Sequence, residues 1–276
     1  MVNPKRPESD VPAMTIAAAR QCVCGREIEV HQNTEGYYYG ICVNHNGTKY
    51  SRSFTYEELQ GYRIMAPVQS AGTEYSKIKS VYMRDEQGKM QFGKFSTPEF
   101  EYLCENEWQF TEKVDGTNIR LITEDGKIKI GGKTERAQIP TKLYDAISMN
   151  LLDPYKERIL EKVPNGVLYG EGFGAGIQKG GGNYGQQPGF ILFDVKIDGY
   201  WLRRDDVIDI ADHCLIPYVP CVGCGTLYQM ILKVEDGLNS TWGNFPAEGI
   251  VARPVVEMFN RAGHRIITKI KGKDFV

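Results

Sequence analysis

The segment Glu112-Lys113-Val114-Asp115-Gly116-Thr117-Asn118 sets a lysine between acidic residues and ahead of a glycine, where backbone can turn or approach a ligand closely. A lysine attacks an electrophile only as the neutral amine, and its ordinary pKa is about 10.4. Burial or neighbouring positive charge lowers that value. Lys269 and Lys271 offer such charge; two apart on a strand-like stretch, they face the same side. Glu112 and Asp115 act oppositely, so at least one of these carboxylates is expected to be committed elsewhere. Taken alone, the same residues read as a solvated lysine before a turn and a solvated basic edge, with Arg261, Arg265 and Lys273 nearby.

Other side chains have the chemistry for a site. Glu171 follows an apolar stretch and precedes glycines; Glu248 stands just before the apolar stretch Gly249 to Arg253. Each is an oxygen acceptor, or else a surface glutamate at a strand end. Arg136 has the fork that binds phosphate in two-pronged fashion, or is an ordinary loop arginine. Gly172 to Gly185 holds seven glycines in fourteen positions, and such a run can present backbone N–H groups to phosphate. It lacks the G-K-[ST] and the spacing of a Walker or dinucleotide-binding loop. It reads as a mobile loop beside the site, with Lys179 reaching nucleic acid, or as a flexible connection alone.

The elements that must position these residues are visible in the pattern. Asn118 to Thr123 alternates with strand period, Asp125-Gly126 supplies a hairpin turn, and Lys127 to Ile130 returns. Thr141 to Val163 predicts a helix interrupted near Pro154, because proline lacks the donor a helix interior needs. Gly166 to Glu171 and Phe190 to Lys196 are strand-like, and Asp198-Gly199 turns into Tyr200 to Arg203. Asp205 to His213 and Thr226 to Val234 predict helices, with Gly249 to Arg253 and Arg265 to Ile270 as closing strands. Hairpin-linked strands with helices between them imply an α+β fold of antiparallel sheets. Three stretches separate by composition: a tail over 1–20, a small β-rich module over 21–70 rich in Cys, His, Tyr and Gly, and a larger α+β domain over 71–276.

Lys113-Val114-Asp115-Gly116 resembles motif I of the covalent nucleotidyltransferase superfamily, which holds DNA ligases, RNA ligases and mRNA capping enzymes. Further segments match that superfamily in order. Gly132-Lys133-Thr134-Glu135-Arg136-Ala137-Gln138 resembles motif Ia, Tyr169-Gly170-Glu171-Gly172 motif III, and Phe193-Asp194-Val195 motif IIIa. Glu248-Gly249-Ile250-Val251 is similar to motif IV and Lys269-Ile270-Lys271 to motif V. Among subfamilies the likeness is to RNA ligases of the RNA ligase 2 type, which the lead-in Tyr75-Ser76-Lys77-Ile78 with Arg84-Asp85 also resembles.

The resemblance implies a nucleotidyltransferase (ATP-grasp-like) domain and a three-step reaction. Lys113 attacks the α-phosphorus of ATP, AMP passes to a 5′-phosphate RNA end, and a 3′-hydroxyl displaces it. It implies that Lys269 and Lys271 contact the α-phosphate and neutralise pyrophosphate, and that Glu171 binds the ribose hydroxyls. Phe193 would stack on adenine, unless it is plain core with Ile191 and Leu192. Glu112, Asp115, Asn118 and Arg136 complete the nucleotide site, and Glu248 lies by Mg²⁺ or Mn²⁺, for which a hard oxygen ligand is apt. A DNA ligase-like enzyme and a noncatalytic RNA-end-binding protein of the same fold are the alternatives.

Net charge is −2, which argues against a uniformly basic nucleic-acid binder but allows a local basic track. Seven cysteines without an export signal predict reduced thiols or metal ligands in a cytoplasmic protein. Cys22, Cys24, Cys42 and His45 form a candidate Zn²⁺ set, with His31 competing, or else buried thiols of a small β fold. Cys221 and Cys224 read as an incidental pair. Tyr37, Tyr38 and Tyr39 beside His31 and Lys49 pack a strand, or stack on unpaired bases. The chain ends five residues after Lys271. The C-terminal domains that accompany the resembled enzymes are therefore expected to be replaced by the N-terminal module or by a partner protein.

Overall fold

The computed structural model describes residues 73–275 in full and, before them, the backbone of four strands: β1 Ile16–Gln21, β2 Glu27–Gln32, β3 Tyr38–Cys42 and β4 Tyr50–Ser53. Residues 1–71 and 72–276 form two compact units. In the first, the strands pair antiparallel in the order β1-β2-β3-β4. β1 begins within the stretch read as a tail. Of the zinc set, Cys22, Cys24 and His45 lie outside the described residues, as do Tyr37 and the side chains of Tyr38, Tyr39 and Cys42.

The second unit opens with β5 (Lys79–Ser80), β6 (Tyr82–Arg84), β7 (Met90–Phe95) and the short helix α1 (Pro98–Tyr102). Then come β8 (Trp108–Lys113), β9 (Thr117–Glu124) and β10 (Lys127–Gly132). α2 (Thr141–Ile147) and α3 (Asp153–Lys162) follow, joined by a π-helical turn at Ser148–Leu152. β11 (Gly166–Phe173), β12 (Gly189–Ile197), β13 (Tyr200–Trp201), α4 (Arg204–Cys214), β14 (Cys221–Gly225) and α5 (Leu227–Glu235) lead to β15 (Gly249–Pro254) and β16 (Thr268–Lys271).

Two five-stranded sheets result, in the orders β10-β9-β11-β12-β13 and β14-β8-β15-β16-β5, antiparallel except for the β16–β5 pair. Local chemistry explains the hairpins. Asp125 and Gly126 take φ of +48° and +70°, and Asp198 and Gly199 take +50° and +85°, the paired positive values that a tight turn needs to match strand twist. α5 is started by Thr226, whose hydroxyl accepts from Gln229 N while the Gln229 side chain accepts from Thr226 N. The predicted helix break sits earlier than expected. Pro154 falls in the first turn of α3, where its missing donor does no harm, and the irregular turn precedes it.

Each sheet has its own core. Ile119, Leu121, Leu168, Phe190 and Leu192 of the first pack on Leu143, Ile147, Ile159, Val207 and Ala211 from α2, α3 and α4. Trp108, Phe110, Ile250, Ala252 and Ile270 of the second pack on Leu227, Met230 and Val234 from α5. The faces left over carry the polar residues of the resembled motifs.

Candidate active site

Strand register assembles the cationic end of the site. On β8, Gln109, Thr111 and Lys113 share a face, opposite Arg253, Val251 and Gly249 of β15. On β16, Lys269 and Lys271 stand opposite Val251 and Gly249. Lys113, Lys269 and Lys271 therefore converge on one face, with only a glycine between Lys113 and Lys271. That glycine holds φ +157°, and a Cβ there would lie 2.1 Å from Ile270 O.

Glu248, the residue before this glycine, ties the cluster together. Its Oε2 is 2.6 Å from Lys113 Nζ and its Oε1 is 2.5 Å from Lys271 Nζ. Among the described residues, Lys269 forms no ion pair with a carboxylate. Burial first, then the charges of Lys113 and Lys271, bring its amine down to about 8. Lys113 and Lys271 thus disfavour the charge on Lys269.

Both acidic neighbours of Lys113 are committed elsewhere. Glu112 borders the cavity, but its side chain lies on the opposite face of β8 and is buried. It accepts from Ser240 Oγ at 2.6 Å and from Thr241 N and Oγ1 at 2.9 Å each. It thereby anchors the loop that delivers Glu248. Asp115 Oδ2 accepts from Gly180 N at 3.0 Å, pinning the glycine-rich run. That run contains a turn of 3-10 helix at Gly181–Asn183, and the Tyr184 phenol faces the backbone N–H groups of Asp115 and Glu248. Gly116 allows this turn to press on β11, since a Cβ there would lie 2.3 Å from Gly172 O. Lys179 is exposed.

A cavity of about 300 Å³ opens between the two sheets, lined by Lys113, Lys133 and Lys269, by Thr111 and Val251 beside them in register, and by Tyr75, Phe193, Val219 and Arg253. Asn118 and Glu171, cross-strand partners on β9 and β11, also line it. Burial, with repulsion from Glu248 and Asp115, raises the Glu171 carboxyl to about 7 against the pull of Lys113. Asn118 Oδ1 is buried without a hydrogen-bond partner, leaving an acceptor for a ligand hydroxyl or amine.

Phe193 reaches the cavity because β12 is bulged. Tyr169 pairs with Asp194 but Gly170 pairs with Leu192, so Phe193 is the extra residue and both it and Asp194 turn away from the core that holds Leu192 and Val195. Asp194 is fully buried. Its carboxylate accepts from Tyr75 Oη at 2.8 Å, from Arg253 Nη1 at 3.2 Å and from Arg265 Nη1 at 2.5 Å. The arginines hold its carboxyl below the usual range despite burial. Arg265 is also bound to Glu257 and stacks on Trp201, 4.3 Å from the ring centroid. Tyr75 packs edge-on against Phe193 at 5.1 Å, fixing the apolar end of the cavity.

The sequence-predicted residues Lys113, Asn118, Glu171, Phe193 and Lys269 line the cavity, while Lys271 and Glu248 join it through Lys113. Arg136 does not line it and is exposed; from the same loop, Lys133 does. Sequence reasoning missed Lys133, Arg253 and the Ser240-Thr241 pair. Lys133 carried a signal, since it lies within the motif Ia segment. Among the described residues, no cluster of three or more His, Cys, Asp or Glu side chains is close enough to enclose a metal ion by itself.

Residues 106–271 match the model of the RNA ligase family. This chain belongs to that family. The match begins just before β8 and ends on Lys271, so it spans all of the lysine cluster. The fold of this RNA ligase is shared with solved structures of the Naegleria gruberi RNA ligase. An apo variant gives a TM-score of 0.53 at 14% identity, covering 96% of this chain and 95% of that one. A variant with ATP and Mn gives 0.51 at 13% identity, covering 95% of each. Among the described residues, no helix is long and apolar enough to cross a membrane.

Proposed function

We propose that this RNA ligase uses ATP to adenylylate Lys113, passes the AMP to a 5′-phosphate RNA end, and joins that end to a 3′-hydroxyl. The observation that carries this reading is the convergence of Lys113 Nζ with Lys269, Lys271 and Glu248 beside a cavity that Tyr75, Phe193 and Val219 also line. The cavity fits a nucleotide with its base against Phe193 and its ribose at Glu171 and Asn118. The α-phosphate then lies at Lys113. In the first step the Lys113 nitrogen forms a bond to phosphorus, and the α–β phosphoanhydride breaks, releasing pyrophosphate with the bonding electrons. Lys269 and Lys271 offset the charge that develops on the phosphoryl oxygens.

In the free chain Lys113 is ion-paired with Glu248, and the amine must leave that pairing to attack. A hydrated divalent cation needs only one or two carboxylates, which Glu248, with Glu171 near enough to feel its charge, can supply. When bound, Mg²⁺ or Mn²⁺ would supply charge that occupies Glu248 and shields the phosphates. Ser240, Thr241 and Glu112 keep Glu248 at the lysines throughout. Recognition of RNA ends by the N-terminal unit belongs to the same proposal.

Incubation with α-labelled ATP and a divalent cation tests the reading. Protein-bound AMP should form, disappear in Lys113→Ala, and be discharged by RNA carrying a 5′-phosphate and a 3′-hydroxyl, with a sealed product. Label persisting in Lys113→Ala refutes the assignment of the nucleophile. Sealing only of DNA ends refutes the substrate.

A further inference from the structure

Cys221 and Cys224 are exposed, whereas Cys104 is half-buried and Cys214 is buried with its thiol donating to Arg158 O. The pair flanks Val222-Gly223 on β14, the edge strand beside the strand of Lys113. In a regular strand, residues three apart face opposite sides. Here the register slips. Cys221 stands opposite Thr111, Gly223 opposite Phe110 and Cys224 opposite Gln109. The slip is a β-bulge with one extra residue, and it reverses the alternation. Cys221 and Cys224 are thereby placed on the same side, in register with Thr111 and Gln109, and it is the side of β8 that carries Thr111 and Lys113 into the cavity. Cys221 Sγ donates to the carbonyl of Gly223, the residue before Cys224, at 3.6 Å.

The spacing suits a covalent link. Two strand positions span about 6.8 Å at ~3.4 Å per residue, the outer end of the roughly 4.4–6.8 Å between Cα atoms that a disulfide accepts. A slight contraction of the bulge closes the gap. Gly223 and Gly225, at φ +143° and +153°, are the joints that can supply it.

We propose that Cys221 and Cys224 are a reversible disulfide site, oxidised by low-molecular-weight disulfides, whose closure weakens nucleotide binding in the neighbouring cavity. One cysteine thiolate attacks a sulfur of the small disulfide, giving a mixed disulfide and one small thiolate. The other cysteine displaces the second small thiolate. Two protein thiols and one small disulfide become one protein disulfide and two small thiols, with two electrons passed to the small molecule. The link to the cavity is short. Val219 lines it, and Pro220 O accepts from Glu112 N at 3.0 Å, both directly ahead of Cys221. Contraction of the bulge therefore pulls on the wall of the base end and on the residue next to Lys113. So small and exposed a ring is of the easily reduced, labile kind.

The nucleotide effect rests on the adenylylation reading; formation of the disulfide does not. The full chain is equilibrated with mixtures of reduced and oxidised glutathione, then alkylated and mapped by mass. A peptide bridged between Cys221 and Cys224 and lighter by two hydrogens is expected, absent from Cys221→Ser and Cys224→Ser. In adenylylation with labelled ATP, the oxidised chain should show a several-fold higher KM for ATP that dithiothreitol restores, while Cys221→Ser is indifferent to oxidation. Two free or separately glutathionylated thiols overturn the disulfide. A bridged chain with an unchanged KM overturns its coupling to the cavity. Absence of adenylylation from reduced wild type and Cys221→Ser alike strikes the ligase mechanism instead, and leaves the mapping result to stand or fall by itself.

Discussion

The burial of Glu171 costs the free enzyme stability, and the amount can be measured. Its carboxyl is raised from 4.5 to about 7, first by burial and then by Glu248 and Asp115. At 1.36 kcal/mol per pH unit, that gap corresponds to roughly 3 kcal/mol. Below pH 4.5 the group is protonated in both the folded and the unfolded chain. As pH rises from there, the unfolded chain gives up a proton that the folded chain retains, so stability falls. The fall levels off above about 7, where both states are ionised. Glu171→Gln removes this titration while keeping the size of the side chain. Unfolding of wild type and Glu171→Gln should be followed by denaturant from pH 4.5 to 8.5, with chelator present and nucleotide absent. The two proteins should be close at the acid end, and the variant should be more stable by up to about 3 kcal/mol at the alkaline end. That is about 6–12 °C in Tm for a unit of this size. The variant should also lose adenylylation, since an amide cannot act as an anionic acceptor for the ribose. A stability difference that does not change with pH would refute the reasoning.

Other expectations test the parts around Glu171. Lys269 is charged only below about 8, so the KM for ATP should rise as pH passes that value, and Lys269→Arg should flatten the rise. Glu112→Ala leaves the Ser240 hydroxyl and the Thr241 N–H without their buried acceptor, at ~1–3 kcal/mol each. Thermal unfolding should register this loss, and the metal concentration needed for adenylylation should increase because Glu248 is no longer anchored. Asp194→Leu strands Arg253 without its buried carboxylate and leaves Arg265 with Glu257 alone, a loss of about 3–5 kcal/mol. Its m-value should stay unchanged if the unit still unfolds as a whole.

The sequence reached some of this architecture and not the rest, for identifiable reasons. β9 and β10 were visible because an alternating stretch meets a turn dipeptide, Asp125-Gly126, and both signals are local. β8 was not predicted as a strand. Trp108 to Thr111 alternate over four residues only, and Thr111 and Glu112 are polar but buried, so the alternation breaks off before Lys113. β14 was hidden by its glycines and by the bulge that puts Cys221 and Cys224 on one side. The expectation that a carboxylate beside Lys113 serves elsewhere held for both Glu112 and Asp115, but their partners Ser240, Thr241 and Gly180 are far away in sequence.

By itself the chain of residues determined which groups can do chemistry: an amine at Lys113, a same-side lysine pair at Lys269 and Lys271, and acceptors at Glu171 and Glu248. Side-chain type and strand period are properties of the local chain, and they survive without a fold. Tertiary structure alone decided that Glu248 sits between Lys113 and Lys271, that Lys133 and not Arg136 lines the cavity, and that one inserted residue turns Phe193 toward it. Those outcomes depend on register between strands distant in sequence, where a shift of one residue moves every side chain to the other face.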